Sequence, residues 1–200
     1  LIQNQFLNQM SDLVSGYTGK IKLGIHFRRT MHFLPKLLRE FEEKYPKIEI
    51  SLTETRSKIM EEKLIDGELD LVFTNSITHT DKLNIVPLYK DKLLLAVSPN
   101  NPVCKYAKKI KSHKYEYLDL EYVKNERFIL QATRIFTDKA LEYSNVQPKK
   151  TFIIQNMETA SQLAAEEYGI AFTMESYAKF FNYMKPVNFY ETRSPDVSVN

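Results

Sequence analysis

The sequence predicts an α/β fold built as two units in succession, and three observations carry that prediction. Short apolar runs with strand-like alternation take turns with stretches whose apolar residues recur at helical spacing. This rhythm occurs twice, first from Gly19 to about Val97 and again from Arg127 to Met174. Between the two lies "SPNNP", Ser98 to Pro102, a turn-forming stretch where a hinge is placed.

In "GKIKLGI" the residues Ile21, Leu23 and Ile25 alternate with Lys20, Lys22 and Gly24, the period of a strand. The spacing then changes to Leu34, Leu37, Leu38, Phe41 and Tyr45, a helix with Thr30 as its cap, Pro35 near its first turn and Pro46 beyond its end. "KIEISL" alternates again, a helix spans about Ser57 to Ile65, Gly67 stops it, and "LDLVF" is apolar enough for burial on both faces. Two further strands are expected at Ile85 to Leu88 and Lys92 to Val97.

The stretch Lys105 to Glu126 is rich in Lys and Tyr and has little period. After it come "RFILQ", a helix near Thr137 to Ser144, "KTFIIQ", a helix from Met157 to Tyr168, and "GIAFTM". A short aromatic helix, Tyr177 to Met184, and a last strand "VNFYE" follow. Alternation of this kind predicts parallel strands with right-handed crossovers.

A chain of 200 residues, 43% hydrophobic and 12% aromatic, can fill a real core. Its net charge is only +3, from 28 basic and 25 acidic residues, so no overall field favours nucleic acid or an anionic membrane. Any anion binding must be local. No apolar run approaches the roughly 18 residues of a membrane span, and the amino end lacks the pattern of an export signal, which predicts a cytoplasmic protein without membrane contact.

Cys104 is the only cysteine, so neither an internal disulfide nor a multi-thiolate metal site can form; a small, semi-buried apolar role is expected. The four histidines include no H-x-x-x-H pair and no metal is expected. With five glycines, no nucleophile elbow, no phosphate-binding glycine loop and no Cys/His dyad, the chain reads as a non-enzyme without a cofactor.

The order of these elements and the residues in them resemble the effector-binding domain of LysR-type transcriptional regulators. "GKIKLGI" followed by "FLPKLLREFEEKYPKIEISL" is similar to that family's opening, and "KLIDGELDLVF" to its helix-to-strand step. "LYKDKLLLAVSPNNPV" is similar to its crossover and "ASQLAAEEYGIAFTME" to its late helix and strand. Two residues depart from the family's habit: Glu167 stands where a small residue, often Gly, is usual, and Met174 where Pro is usual.

The resemblance implies a periplasmic-binding-protein-like fold of type 2: two Rossmann-like subdomains joined by two crossing strands, with a small molecule in the cleft. Residues 19–96 with 186–200 would form the first subdomain, 97–185 the second, and 1–18 the tail of a linker helix. It implies a DNA-binding domain that this chain lacks, and a sidewise homodimer through the helix from Leu34 to Tyr45, assembling to a tetramer in the full-length protein. A solute-binding receptor of a transport system is the alternative on the same architecture.

The stretch "GIHFRRTMHFLP" sits after a strand and before a helix, where open α/β sheets hold their ligands. His26, Phe27, Arg28, Arg29 and Thr30 are therefore candidate ligand residues. Arg28 or Arg29 would clamp a small anionic effector with its planar fork, helped by the Thr30 hydroxyl and the helix dipole. The alternative is that both arginines are solvated or pair with carboxylates across the dimer.

By the same resemblance Ser57 matches an effector-binding hydroxyl, with Arg56 beside it, and Thr74 and Asn75 follow "LDLVF". From the second subdomain come Gln131, Thr133 and Arg134, with Glu158 and Thr159 opening the late helix. Glu158 reads alternatively as a first-turn carboxylate favoured by the dipole. Tyr177, Phe180, Phe181 and Tyr183 are expected to pack rather than to stack on bases.

Overall fold

The computed structural model describes residues 18–26, 30–74, 81–193 and 197–199. In chain order the strands are β1 (Gly19–Ile25), β2 (Ile48–Glu54), β3 (Leu71–Phe73), β4 (Tyr89–Asp91), β5 (Leu93–Val97), β6 (Glu116–Tyr117), β7 (Arg127–Gln131), β8 (Lys150–Ile154), β9 (Ile170–Met174), β10 (Asn188–Glu191) and β11 (Val197–Val199). The α-helices are α1 (Thr30–Lys44), α2 (Ser57–Ile65), α3 (Ile135–Tyr143), α4 (Met157–Ala165) and α5 (Glu175–Phe180). Two short 3-10 helices, Pro102–Tyr106 and Leu120–Val123, occupy the stretch without period. The chain divides into two compact units, Leu1–Lys90 with Ser198–Asn200, and Asp91–Val197.

The first unit is a three-stranded parallel sheet in the order β2-β1-β3. The side of α1 bearing Leu34, Leu37 and Phe41, with Tyr45 just past its end, is buried with Ile21, Leu23, Ile25, Ile48 and Phe73, which explains the helical spacing read in the sequence. Asp70 ties β3 to β1 twice: its carboxylate accepts from Lys22 N–H at 2.7 Å and its own N–H donates to the Lys22 carbonyl at 2.9 Å. α1 begins at Thr30, the residue expected to cap it, so Pro35 lies inside the helix.

The second unit centres on a six-stranded mixed sheet in the order β6-β10-β5-β9-β7-β8. β7 runs parallel to both β8 and β9, while β5 is antiparallel to β9 and β10. One face is covered by a large apolar cluster that includes Leu95, Phe128, Leu130 and Phe172. On the other face the small residues Ala96 and Ala171 let α4 lie close through Ala160 and Ala164.

Three of the helices stop in the same way. After α2, Glu68 N–H reaches the Lys63 carbonyl and Gly67 N–H the Leu64 carbonyl; Val146 and Asn145 repeat the pattern after α3, and Tyr168 and Glu167 after α4. This double hydrogen bond requires a left-handed residue, and the three are Gly67 (φ +72), Asn145 (φ 51) and Glu167 (φ 64). The departure noted at Glu167 thus places a full side chain where glycine costs nothing. Glu167→Gly is expected to raise stability by about 1 kcal/mol, read as a higher melting temperature, although it gives up an exposed hydrogen bond from Asn100 (2.7 Å) and the attraction of its carboxylate to Lys185.

Glu191 is a buried carboxylate at the end of β10. It lies 3.2 Å from Lys92 Nζ and 2.8 Å from His113 Nδ1, and accepts from the Lys114 and Tyr115 N–H groups. Burial pushes its pKa up, but hydrogen bonds from Lys92 and the Tyr115 amide and the charges of Lys92 and His113 outweigh that, leaving it below the ordinary 4.5. A depressed carboxyl contributes stability that is complete above its unfolded value and lost as pH falls through the folded one. The melting temperature of Glu191→Gln should therefore lie well below wild type at neutral pH, and the gap should close as pH falls below the ordinary carboxylate range.

The structure departs from the sequence reading in three segments. Residues 84–88 form no strand; the extended pairing starts at Tyr89, where β4 pairs with β11. α4 ends at Ala165 because the left-handed turn at Glu167 follows. The aromatic helix runs Glu175–Phe180, not Tyr177–Met184: Glu175 anchors its first turn through Lys179 (3.0 Å) and Lys114 (2.6 Å), and Phe181 is already extended.

Candidate functional site

The parallel strands of the first unit end together. Ile25 is level with Glu54 and Phe73, and Thr55 N–H donates to the Ile25 carbonyl at 3.2 Å. This register brings His26, the α2 start at Arg56 and Ser57, and Thr74 to one edge, with the N-terminus of α1 following His26. His26 and Ser57 are half-buried, Thr74 is buried and Arg56 is exposed. Arg56 makes no side-chain cap to α2, so the helix's first N–H groups are not closed off by it. Phe27, Arg28, Arg29 and Asn75 lie outside the described residues, and the side chain of Thr30 is likewise undescribed.

The second unit has a matching edge. Gln131 ends β7 level with Ile154 of β8, and Ala132 N–H donates to the Ile154 carbonyl at 2.9 Å. Glu158 lies in the first turn of α4, whose cap Asn156 accepts from Thr159 N–H at 2.9 Å. Gln131 and Glu158 are both buried, each only 8% exposed. Gln131 Nε2 and Glu158 Oε2 have no hydrogen-bond partner among the described residues.

Three other predicted residues stand apart from this edge chemistry. Thr133 and Thr159 are exposed, and the guanidinium of exposed Arg134 is engaged by Asp138, Nε to Oδ1 at 2.8 Å. That pair spans one turn of α3 and holds the arginine to its own helix.

Sequence reading missed Thr173, Ser161 and Tyr183. Thr173 and Ser161 are fully buried, and Thr173 Oγ1 has no close hydrogen-bond partner among the described residues. Ser161 Oγ donates to the Met157 carbonyl at 3.1 Å. Burial raises the Tyr183 phenol pKa; contacts with the Ser161 and Thr173 hydroxyls lower it, and the nearby Glu158 carboxylate raises it. Thr173 Oγ1 itself is left without a hydrogen bond among the described residues. The signal available was a lone hydroxyl inside the apolar strand "GIAFTM".

Cys104 is half-buried and its thiol donates to the Ser98 carbonyl at 3.4 Å. Among the described residues no group of three His, Cys, Asp or Glu side chains could hold a metal ion, and no helix is long and apolar enough to cross a membrane.

Residues 15–185 match the family model described as the LysR substrate binding domain, and the chain belongs to that family. It is similar to the HTH-type transcriptional regulator YybE of Bacillus subtilis, 27% identical over 157 residues that cover 76% of this chain and 51% of that protein. It is also similar to the hydrogen peroxide-inducible genes activator of Haemophilus influenzae, 24% identical over 185 residues, covering 90% of this chain and 58% of that one. The chain thus spans about half the length of these relatives.

Among solved structures, the effector binding domain of QuiR in complex with shikimate shares the fold at a TM-score of 0.68 and 21% identity, over 91% of this chain and 85% of that one. The BenM effector binding domain with benzoate does so at 0.72 and 17%, over 90% and 81%. These likenesses bear out the mixed α/β, type 2 periplasmic-binding-protein-like architecture.

Proposed function

We propose that this chain is the effector-sensing part of a LysR-type transcriptional regulator, and that it binds a small organic molecule at the carboxyl-terminal ends of its parallel strands. Family membership over residues 15–185 is the observation that carries this reading. The named relatives are transcriptional regulators, which favours gene control over solute transport and over catalysis. DNA is read by a part of the protein outside this chain, the protein works in the cytoplasm, and the domain pairs as a homodimer through α1.

The ligand residues on this reading are His26, Phe27, Arg28, Arg29, Thr30, Arg56, Ser57, Thr74, Asn75, Gln131, Thr133 and Glu158. The basic residues of the first group suit an anionic group on the effector. Binding shifts an equilibrium between two conformations by no more than the ligand's difference in affinity for them.

A thermal-shift screen of small carboxylates, phosphates and sulfate tests the reading. A ligand at about 100 times its Kd adds roughly 2.7 kcal/mol of stability. Ser57→Ala removes one neutral hydrogen bond and is expected to weaken binding of the best hit by about tenfold, or ~1.4 kcal/mol. Unchanged affinity in calorimetry would remove Ser57 from the site.

A further inference from the structure

Buried polar atoms in proteins are almost always hydrogen-bonded, and a cluster that is not requires a reason. The second unit holds such a cluster. β7 and β9 are parallel with Ile129 level with Ala171, and carrying that register two residues further sets Gln131 level with Thr173. Side chains alternate along a strand, so both share the face of Ile129 and Ala171, which packs on Ala160 of α4. The Tyr183 phenol, in contact with Thr173 and Ser161 and near Glu158, gathers the N-terminus of α4 to the same place.

The three unpartnered atoms of these residues differ in chemistry. Gln131 Nε2 only donates, Glu158 Oε2 as a carboxylate only accepts, and Thr173 Oγ1 does either. Gln131 and Glu158 are 8% exposed and Thr173 is 0% exposed, so bulk water does not compensate them. A carboxylate or phosphate would satisfy the amide but meet the Glu158 charge, and an ammonium would satisfy Glu158 but not the amide. A hydroxyl donates one hydrogen bond and accepts others, and it alone of these matches all three.

We propose that Gln131, Glu158 and Thr173 form a preformed subsite for a hydroxyl group of the effector, with Glu158 excluding a bare anion from this end. The proposal rests on the sensing reading above and adds the class of effector: a hydroxylated small molecule, whose charged group, where it has one, is bound elsewhere.

The first test needs no ligand. Thr173→Val removes an unpaired polar atom at nearly constant volume, so it is expected to raise the melting temperature of the ligand-free protein, by about 2–4 °C. A fall would show that the atom holds a structural water and would overturn the subsite. The second test titrates the protein with ring and chain monocarboxylates, each paired with its hydroxylated counterpart, shikimate and benzoate among them. The hydroxylated members are expected to bind the more tightly, and Thr173→Val, Gln131→Met and Glu158→Gln to weaken them at least tenfold. Equal or tighter binding of the unhydroxylated members, or affinity unmoved by the variants, would overturn the subsite and leave the sensing reading standing. If no acid of either kind binds wild type, the sensing reading suffers, and the melting temperatures alone decide the subsite.

Discussion

Replacing Phe172 with alanine should cost the protein about 3–5 kcal/mol, a large share of the stability of a domain this size. Phe172 is 1% exposed in the middle of β9, pairs across to Leu95, and tilts its ring against Phe128 at a centroid distance of 6.1 Å. Truncation removes the apolar surface and leaves a void among residues held in place by the sheet on one side and the 3-10 helices on the other. The apolar cluster around it is made only of residues from the second unit. Hydrogen exchange should therefore accelerate first in β5, β7 and β9, with β1 and β2 changing less; uniform acceleration would show that the whole chain opens as one cooperative body.

Gly169→Ala is the second large effect, and it acts by crowding instead of by a void. A Cβ at Gly169 would stand 2.4 Å from the Arg127 carbonyl oxygen, a backbone atom that β7 fixes in place. Either β7 or the start of β9 must give way, at about 1–3 kcal/mol. Gly24 makes an instructive contrast, because its Cβ would meet only the side chains of Leu69 and Val72, both at 2.8 Å, and the sulfur of Met60. Side chains can turn aside. Gly24→Ala should accordingly cost less than Gly169→Ala in urea denaturation, and the reverse order would mean that the apolar packing at Met60 is stiffer than the β7 backbone.

Much of the fold was legible because it is written locally. The period of Ile21, Leu23 and Ile25, then of Leu34, Leu37 and Phe41, is the same pattern that the buried faces of β1 and α1 display. What failed was decided at a distance. Residues 84–88 have the alternation of a strand but no partner, whereas Tyr89–Asp91 becomes one because Val197–Val199 comes back to it. The start of α5 was likewise set by Lys114, far along the chain from Glu175, whereas α4 stops on a local turn at the left-handed Glu167.

The candidate site divides in the same way. Positions that follow a strand and precede a helix announce themselves, and so His26 was accessible from order, while Ser57, Gln131 and Glu158 came from the resemblance to the family. Thr173 lies within a strand and Tyr183 beyond a helix; the parallel pairing of β7 with β9 carries the one toward Gln131, and the phenol's contact with Thr173 and Ser161 brings the other. Sequence spacing carries no information about which residues of separate strands stand level, which is why a hydroxyl at the heart of the cluster read as ordinary β-structure.

The pairing of β4 with β11 also governs how this protein is made. A ribosome adding about 5–20 residues per second finishes β4 and then needs about 5–20 s to deliver β11. Throughout that interval the whole stretch Asp91–Val197 is synthesised, while β4 waits with an open edge. The newborn chain thus completes its second unit before it can close its first, and a nascent polypeptide stalled short of Val197 would be the form most in need of a chaperone.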